Sequence, residues 1–359
     1  MCDVRYRRSW SARVPMAERF AAAATLLVVA SSACSLPSGG GGGALETSVS
    51  PVIATIPLSN YGADVAVRPD GTRAYVPLQT GSVLAVDLTS RQVASTITTN
   101  GRPCSIAVAR DGRHAYVADL TGESLFVLDT TNDSLATSVA LGAISRPTRT
   151  PAIAVSPDGR RVYLTSATAT DDHLLVIDTE TNTVAGDYGL DIHPVGIAVS
   201  PDGARLYVAG CESFCTNGTL LILDAANTQV VSRIALPAAP VALALSPDGS
   251  RAYTPTGLSG TVQAIQLADG TTRTIPVDAL ALGITVHPSG AFVYVTCYGG
   301  ASVSVIGARI NTVLSTIRVA NEPRAIATSP DGHFAYVTHS SPILSVIDLH
   351  RVTGGVPSP

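Results

Sequence analysis

Pro157-Asp158-Gly159-Arg160-Arg161-Val162-Tyr163-Leu164 joins a turn to a strand, and its internal spacing recurs along the chain. Pro presets φ for a turn, Asp bonds to nearby backbone, and Gly accepts the left-handed position of a bulged reversal. The β-branched and aromatic residues that follow favour an extended strand. The same turn, or a near relative, is centred at Asp70, Asp111, Asp158, Asp202, Asp248, Ser289 and Asp331, with spacings of 41, 47, 44, 46, 41 and 42 residues. Five residues after each centre stands a tyrosine: Tyr75, Tyr116, Tyr163, Tyr207, Tyr253, Tyr294 and Tyr336. Seven of the chain's eleven tyrosines occupy this one column, so the repeat is the organising unit.

Each unit reads as four strands. An apolar strand such as Gly196-Ile197-Ala198-Val199 precedes the turn, and the tyrosine strand follows it. A third strand resembles Leu174-Leu175-Val176-Ile177-Asp178; the polar turn Thr179-Glu180-Thr181-Asn182 then leads to a fourth around residues 183–185. One such sheet cannot bury both faces alone, so neighbouring sheets must stack radially and close into a ring. The expected fold is all-β: a seven-bladed β-propeller with four-stranded blades over residues 51–350. The last unit stops after residues 345–348 without a fourth strand, whereas Val52-Ile53-Ala54-Thr55-Ile56 is a strand without a blade. Joining the two completes the last blade and removes the exposed edges.

The turn, the segments Tyr294-Val295-Thr296 and Tyr336-Val337-Thr338, and the run from Val176 to Asn182 resemble the YVTN β-propeller repeat. The resemblance covers roughly residues 51–350. It departs at Gln266 and Gly307, where the third strand of the other units ends in Asp. The only tryptophan is Trp10, which sets the chain apart from WD40 propellers.

The first fifty residues read as an address. Arg5, Arg7, Arg8, Arg13 and Arg19 precede an apolar run at 20–30, and Ser31-Ser32-Ala33-Cys34 follows. That is the pattern of an export signal over 1–33, cleaved before Cys34. Cys34 also fits a bacterial lipobox that would carry a lipid, although Ser31 departs from the usual aliphatic residue; plain secretion is the alternative. Residues 34–50 contain five consecutive glycines and suit a flexible tether. Residues 351–359 form a tail.

A net charge of −4 with 5% aromatics argues against nucleic-acid binding, which needs a basic face and stacking platforms. Eleven apolar residues cannot span a bilayer, so membrane contact is expected through a lipid anchor only. A monomer is expected.

Extra length enters the repeat in three places: the segment 142–150 leading into blade 3, and the connections between second and third strands in blades 3 and 4. All three lie on one face, opposite the tight turns, which suggests a loop face used for binding. The polar candidates there are Arg102, Arg146, Arg149, Asp171, Asp172, His173, Asp191, His193, Asn321, Arg324 and His339. Arginines that converge at a channel mouth suit an anion or carboxylate. Cys211 and Cys215 sit in the longest loop, and in an exported chain such a pair forms a disulfide. No His-rich spacing supports a metal and no glycine loop supports a nucleotide, so no metal or cofactor is expected. The expected function is a non-catalytic cell-envelope scaffold that binds a protein, glycan or small ligand. The alternative is a lactonase-like hydrolase with Arg and His at the channel mouth, an analogy drawn from fold alone.

Overall fold

The computed structural model describes residues 50–142, 150–168, 171–212 and 215–352. The leader, Cys34, most of the tether, Arg146, Arg149 and the residues after Val352 lie outside them.

Among the described residues, seven four-stranded antiparallel sheets form the seven blades. Blades 1 to 6 span 66–98, 103–140, 153–190, 193–236, 244–276 and 281–318. Blade 7 combines 323–348 with the strand Val52–Pro57, which pairs antiparallel to Ile343–Asp348 as the blade's outer strand. The ring therefore closes with the first strand of the chain, as the incomplete last repeat requires.

Seven buried apolar clusters hold the ring, each drawn mainly from two neighbouring blades. Every column tyrosine lies in the cluster shared with the next blade; Tyr336 of blade 7 packs with Val76, Leu84 and Val86 of blade 1. Tyr75 also donates its hydroxyl to Asp133 Oδ1 (2.6 Å) on blade 2. Burying a ring of this size contributes about 2 kcal/mol, once per blade interface. The column is scaffold.

The turn aspartates are scaffold as well. Asp158, Asp202, Asp248 and Asp331 each accept a serine hydroxyl from two residues earlier and a backbone N–H from two residues later. The glycine after each turn centre has φ between +67° and +74°, where a Cβ is penalised. In blade 6 His287 replaces the serine; its Nδ1 lies 2.7 Å from Ser289 Oγ and its Nε2 lies 3.0 Å from Gly332 O on blade 7. The threonine after Tyr-Val holds the inner strand, which bulges near its start in blades 6 and 7. Thr338 Oγ1 accepts Ala325 N–H (3.1 Å), and Thr296 Oγ1 accepts Gly283 N–H (2.7 Å).

The extra length divides between strand and loop: the expected enlarged loop is present in blade 4, whereas in blade 3 the expectation is corrected. In blade 3 it lengthens strands: Arg161–Ala167 pairs with Asp172–Asp178 up to Ala167↔Asp172, and Thr183–Leu190 runs alongside to Leu190. In blade 4, Arg205–Cys211 and Gly218–Asp224 pair up to Cys211↔Gly218, and the disulfide Cys211–Cys215 closes the loop above. In blade 3 most of the added residues are thus hydrogen-bonded in the sheet, whereas in blade 4 the connection 212–217 is longer than 79–81 of blade 1.

Candidate functional site

The loop face carries a polar and aromatic cluster built from blades 6, 7, 1 and 2. Arg324 stands second in the inner strand Pro323–Thr328 of blade 7. Its backbone carbonyl accepts the hydroxyl of Thr296 from blade 6 (2.6 Å). Gly283 lies against the same carbonyl, where a Cβ would collide with it. The side chain is thus anchored at its root by the neighbouring blade.

At its tip, Arg324 Nε donates to Ser340 Oγ (2.8 Å). The guanidinium carbon lies 5.5 Å from the ring centroid of Tyr61 and 5.9 Å from that of Tyr298. Tyr61 comes from the segment entering blade 1, and Tyr298 from the loop after Phe292–Cys297 in blade 6. Two such cation–π contacts on a half-buried guanidinium are worth about 0.5–2 kcal/mol each and fix its plane. Tyr61 in turn donates to Gln79 Oε1 (2.9 Å), and Arg102 Nη2 reaches the same oxygen at 3.5 Å.

Arg102 is held by its backbone. Its N–H donates to Asp119 Oδ1 (2.8 Å), and that buried carboxylate also takes the N–H and hydroxyl of Thr121. Neither Arg102 nor Arg324 has a carboxylate within ion-pair distance among the described residues, whereas Arg73, Arg205 and Arg233 each do. Two uncompensated cations facing one patch create a positive potential at the mouth.

Asp64 sits three residues beyond Tyr61. Its Oδ2 accepts Ile106 N–H (3.0 Å) from the strand that follows Arg102, and its Oδ1 accepts Val65 N–H (2.8 Å). Burial pushes its pKa up to about 6, against the lowering effect of those two hydrogen bonds. Asp64 therefore ties together the segments carrying Tyr61 and Arg102.

Of the eleven expected candidates, Arg102 and Arg324 come together, joined through Tyr61 and Gln79. Asp172 and His193 form a second, separate pair between blades 3 and 4 (Nδ1 to Oδ2, 2.8 Å), across the ring from Arg324. His173 turns to Asp187 (2.8 Å) on the outer strand of blade 3. Asp191 pairs with Arg233 (2.7 Å) on the outer strand of blade 4, and Asp171 is exposed at the tip of blade 3. Asn321 is exposed and lends its carbonyl to His339 Nδ1 (3.1 Å). His339 is a correction to its expected place near the channel. It is wholly buried, its Nε2 lies 2.9 Å from Ser345 Oγ, and burial pulls its pKa down. Its position at the end of Phe334–His339 points the ring into the blade, not the channel.

Tyr61, Tyr298, Gln79 and Asp64 escape a reading of the sequence that follows columns and charges. A signal exists for two of them. Only Tyr6, Tyr61, Tyr188 and Tyr298 fall outside the tyrosine column, and Tyr6 is in the leader. Cys211 and Cys215 form the expected disulfide, and Cys104 and Cys297 are buried thiols; burial raises the Cys104 pKa to about 12. A shallow depression of about 500 Å³ lies on the tight-turn face, lined in part by Ser50, Arg91, Phe334 and Arg351, remote from the arginine cluster.

No family model matches the sequence, and no curated protein matches it. Among solved structures, the chain is similar to Kuenenia stuttgartiensis hydrazine synthase, at 22% identity and a TM-score of 0.72. The match covers 86% of this chain and 99% of that one. The likeness is one of fold. Both are built on the same propeller frame, and the loop-face cluster must be judged by its own chemistry.

Proposed function

We propose that this protein is an exported, envelope-tethered propeller of the YVTN kind that binds an anionic ligand on its loop face without turning it over. The observation that carries the reading is the arginine pair. Arg102 and Arg324 reach one Tyr61–Gln79 unit from two different blades, and neither is neutralised by a carboxylate among the described residues. What sets these two apart is that they converge on one polar and aromatic unit from different blades, which leaves their charge for a partner from outside.

Export is supported by the arginine-rich leader with its apolar run, and by a disulfide that fits an oxidising compartment. Lipid attachment at Cys34 suits the glycine tether that follows it. The chain enters the propeller at Ser50, whose carbonyl accepts from Arg351 (3.2 Å) on the tight-turn face. Binding is favoured over a lactonase-like hydrolysis by Arg with His, because His193 is engaged with Asp172 across the ring and His339 is buried in its own blade.

The test is thermal unfolding of the protein with citrate, oligoglutamate and oligogalacturonate, in wild type and in the Arg102→Ala, Arg324→Ala double variant. An anion at a hundredfold excess over its dissociation constant stabilises by about 2.7 kcal/mol, a shift of several degrees. The shift should vanish in the double variant. No shift with any anion overturns the reading. Labelling with a fatty-acid analogue tests the anchor: label that persists in Cys34→Ser removes Cys34 from it.

A further inference from the structure

We propose that the ligand of the loop face is a carboxylated glycan, a run of uronic acid units, with one carboxylate seated on the Arg324 fork. This rests on the anion-binding reading above. Arg324 spends Nε on Ser340, and Nη1 and Nη2 have no acceptor among the described residues. Two outward N–H groups in one plane match a carboxylate bidentately. The rings of Tyr61 and Tyr298 hold that plane in advance, so little side-chain freedom is lost on binding.

The surroundings narrow the class. Tyr61 and Tyr298 hydroxyls, the Gln79 amide and the Ser340 hydroxyl border the fork, and all are neutral groups that both donate and accept. Vicinal sugar hydroxyls also donate and accept, whereas phosphate and sulfate only accept and would be better met by several cations around one point. Here the second cation, Arg102, stands apart on blade 2 beyond Gln79. Two cations separated by a neutral polar stretch suit a ligand whose charges are spaced along it by hydroxylated rings. An acidic peptide would bring apolar anchors. None of the exposed large apolar residues among the described residues belongs to the cluster; the most exposed of them, Leu258, belongs to blade 5.

The experiment titrates the purified full-length protein with hexagalacturonate, its methyl ester and hexaglutamate, following tyrosine fluorescence and calorimetry. Saturable binding of hexagalacturonate is expected. Arg324→Gln should weaken it at least tenfold and Arg102→Gln severalfold, with both variants fully folded at the assay temperature by circular dichroism. The methyl ester and hexaglutamate should bind at least tenfold more weakly. If hexaglutamate binds as tightly and as Arg324-dependently, the anion face stands and the glycan class falls. Equal binding of the methyl ester removes the carboxylate from the proposal. If none of the anions binds, both proposals fall together.

Discussion

Replacing Asp64 with asparagine should change how stability depends on pH, by an amount that can be worked out. The carboxyl has a pKa raised from the ordinary 3.8 to about 6, chiefly because it is buried. A raised folded-state pKa means the folded protein holds the proton more tightly than the unfolded chain. The stabilisation is then fully present below pH 4 and is lost as pH rises through 6. At 1.36 kcal/mol for each pH unit, the loss is about 3 kcal/mol. The asparagine side chain has no proton to lose. Its single carbonyl oxygen can keep the Ile106 N–H bond but leaves Val65 N–H without its acceptor, at about 1 kcal/mol regardless of pH. The variant should therefore be about 1 kcal/mol less stable than wild type at pH 4 and about 2 kcal/mol more stable at pH 8. His339 and His287, whose pKa values burial lowers, add a pH dependence of opposite sign, but it is common to both proteins and cancels in the difference. Urea denaturation followed by circular dichroism from pH 4 to 8 measures it. Two parallel profiles would refute the reasoning.

Other expectations follow from single contacts. Tyr75→Phe should cost about 1–2 kcal/mol in urea unfolding because it strips Asp133 Oδ1 of its hydroxyl donor and leaves only Arg73 on Oδ2, while Tyr294→Phe should cost almost nothing, since that hydroxyl is buried without a partner among the described residues. Gly332→Ala should lower the melting temperature more than Gly159→Ala: both have φ near +73°, but only at Gly332 would a Cβ strike the His287 ring. Thr296→Val should cost about 1–3 kcal/mol and also weaken oligogalacturonate binding, because it frees the carbonyl that roots Arg324. Calorimetry on that variant separates the two effects.

The frame was legible because it repeats. A tyrosine at a fixed five-residue offset reports one geometry seven times, and a strand without a blade can be matched to a blade without its fourth strand. Strand boundaries were harder. Residue counts showed that blades 3 and 4 are longer, but a count cannot say whether added residues hydrogen-bond in the sheet or stand above it; Ala167↔Asp172 shows that in blade 3 they pair. The site was legible by halves. Arg102 and Arg324 are marked by their place at the start of the inner strands, a property of sequence position. Their grouping depends on Tyr61 and Gln79, which join them across blade boundaries that only the closed ring creates. His339 illustrates the converse: a terminal strand position looked accessible, and a serine six residues later drew the ring inward.

The pairing of Val52–Pro57 with Ile343–Asp348 has a consequence for how the molecule is made. In synthesis Val52–Pro57 finds its partner only after some 290 further residues have followed. Closing a segment of that length costs about 5 kcal/mol of chain entropy plus a constant, a cost that rises only slowly with length. The last blade can meet it, but no earlier blade can take its place. A chain halted before Ile343 would be an open arc, with apolar faces at both ends and an unpaired leading strand. Folding in this protein should therefore finish late and all at once. Its two ends arrive separately and leave together.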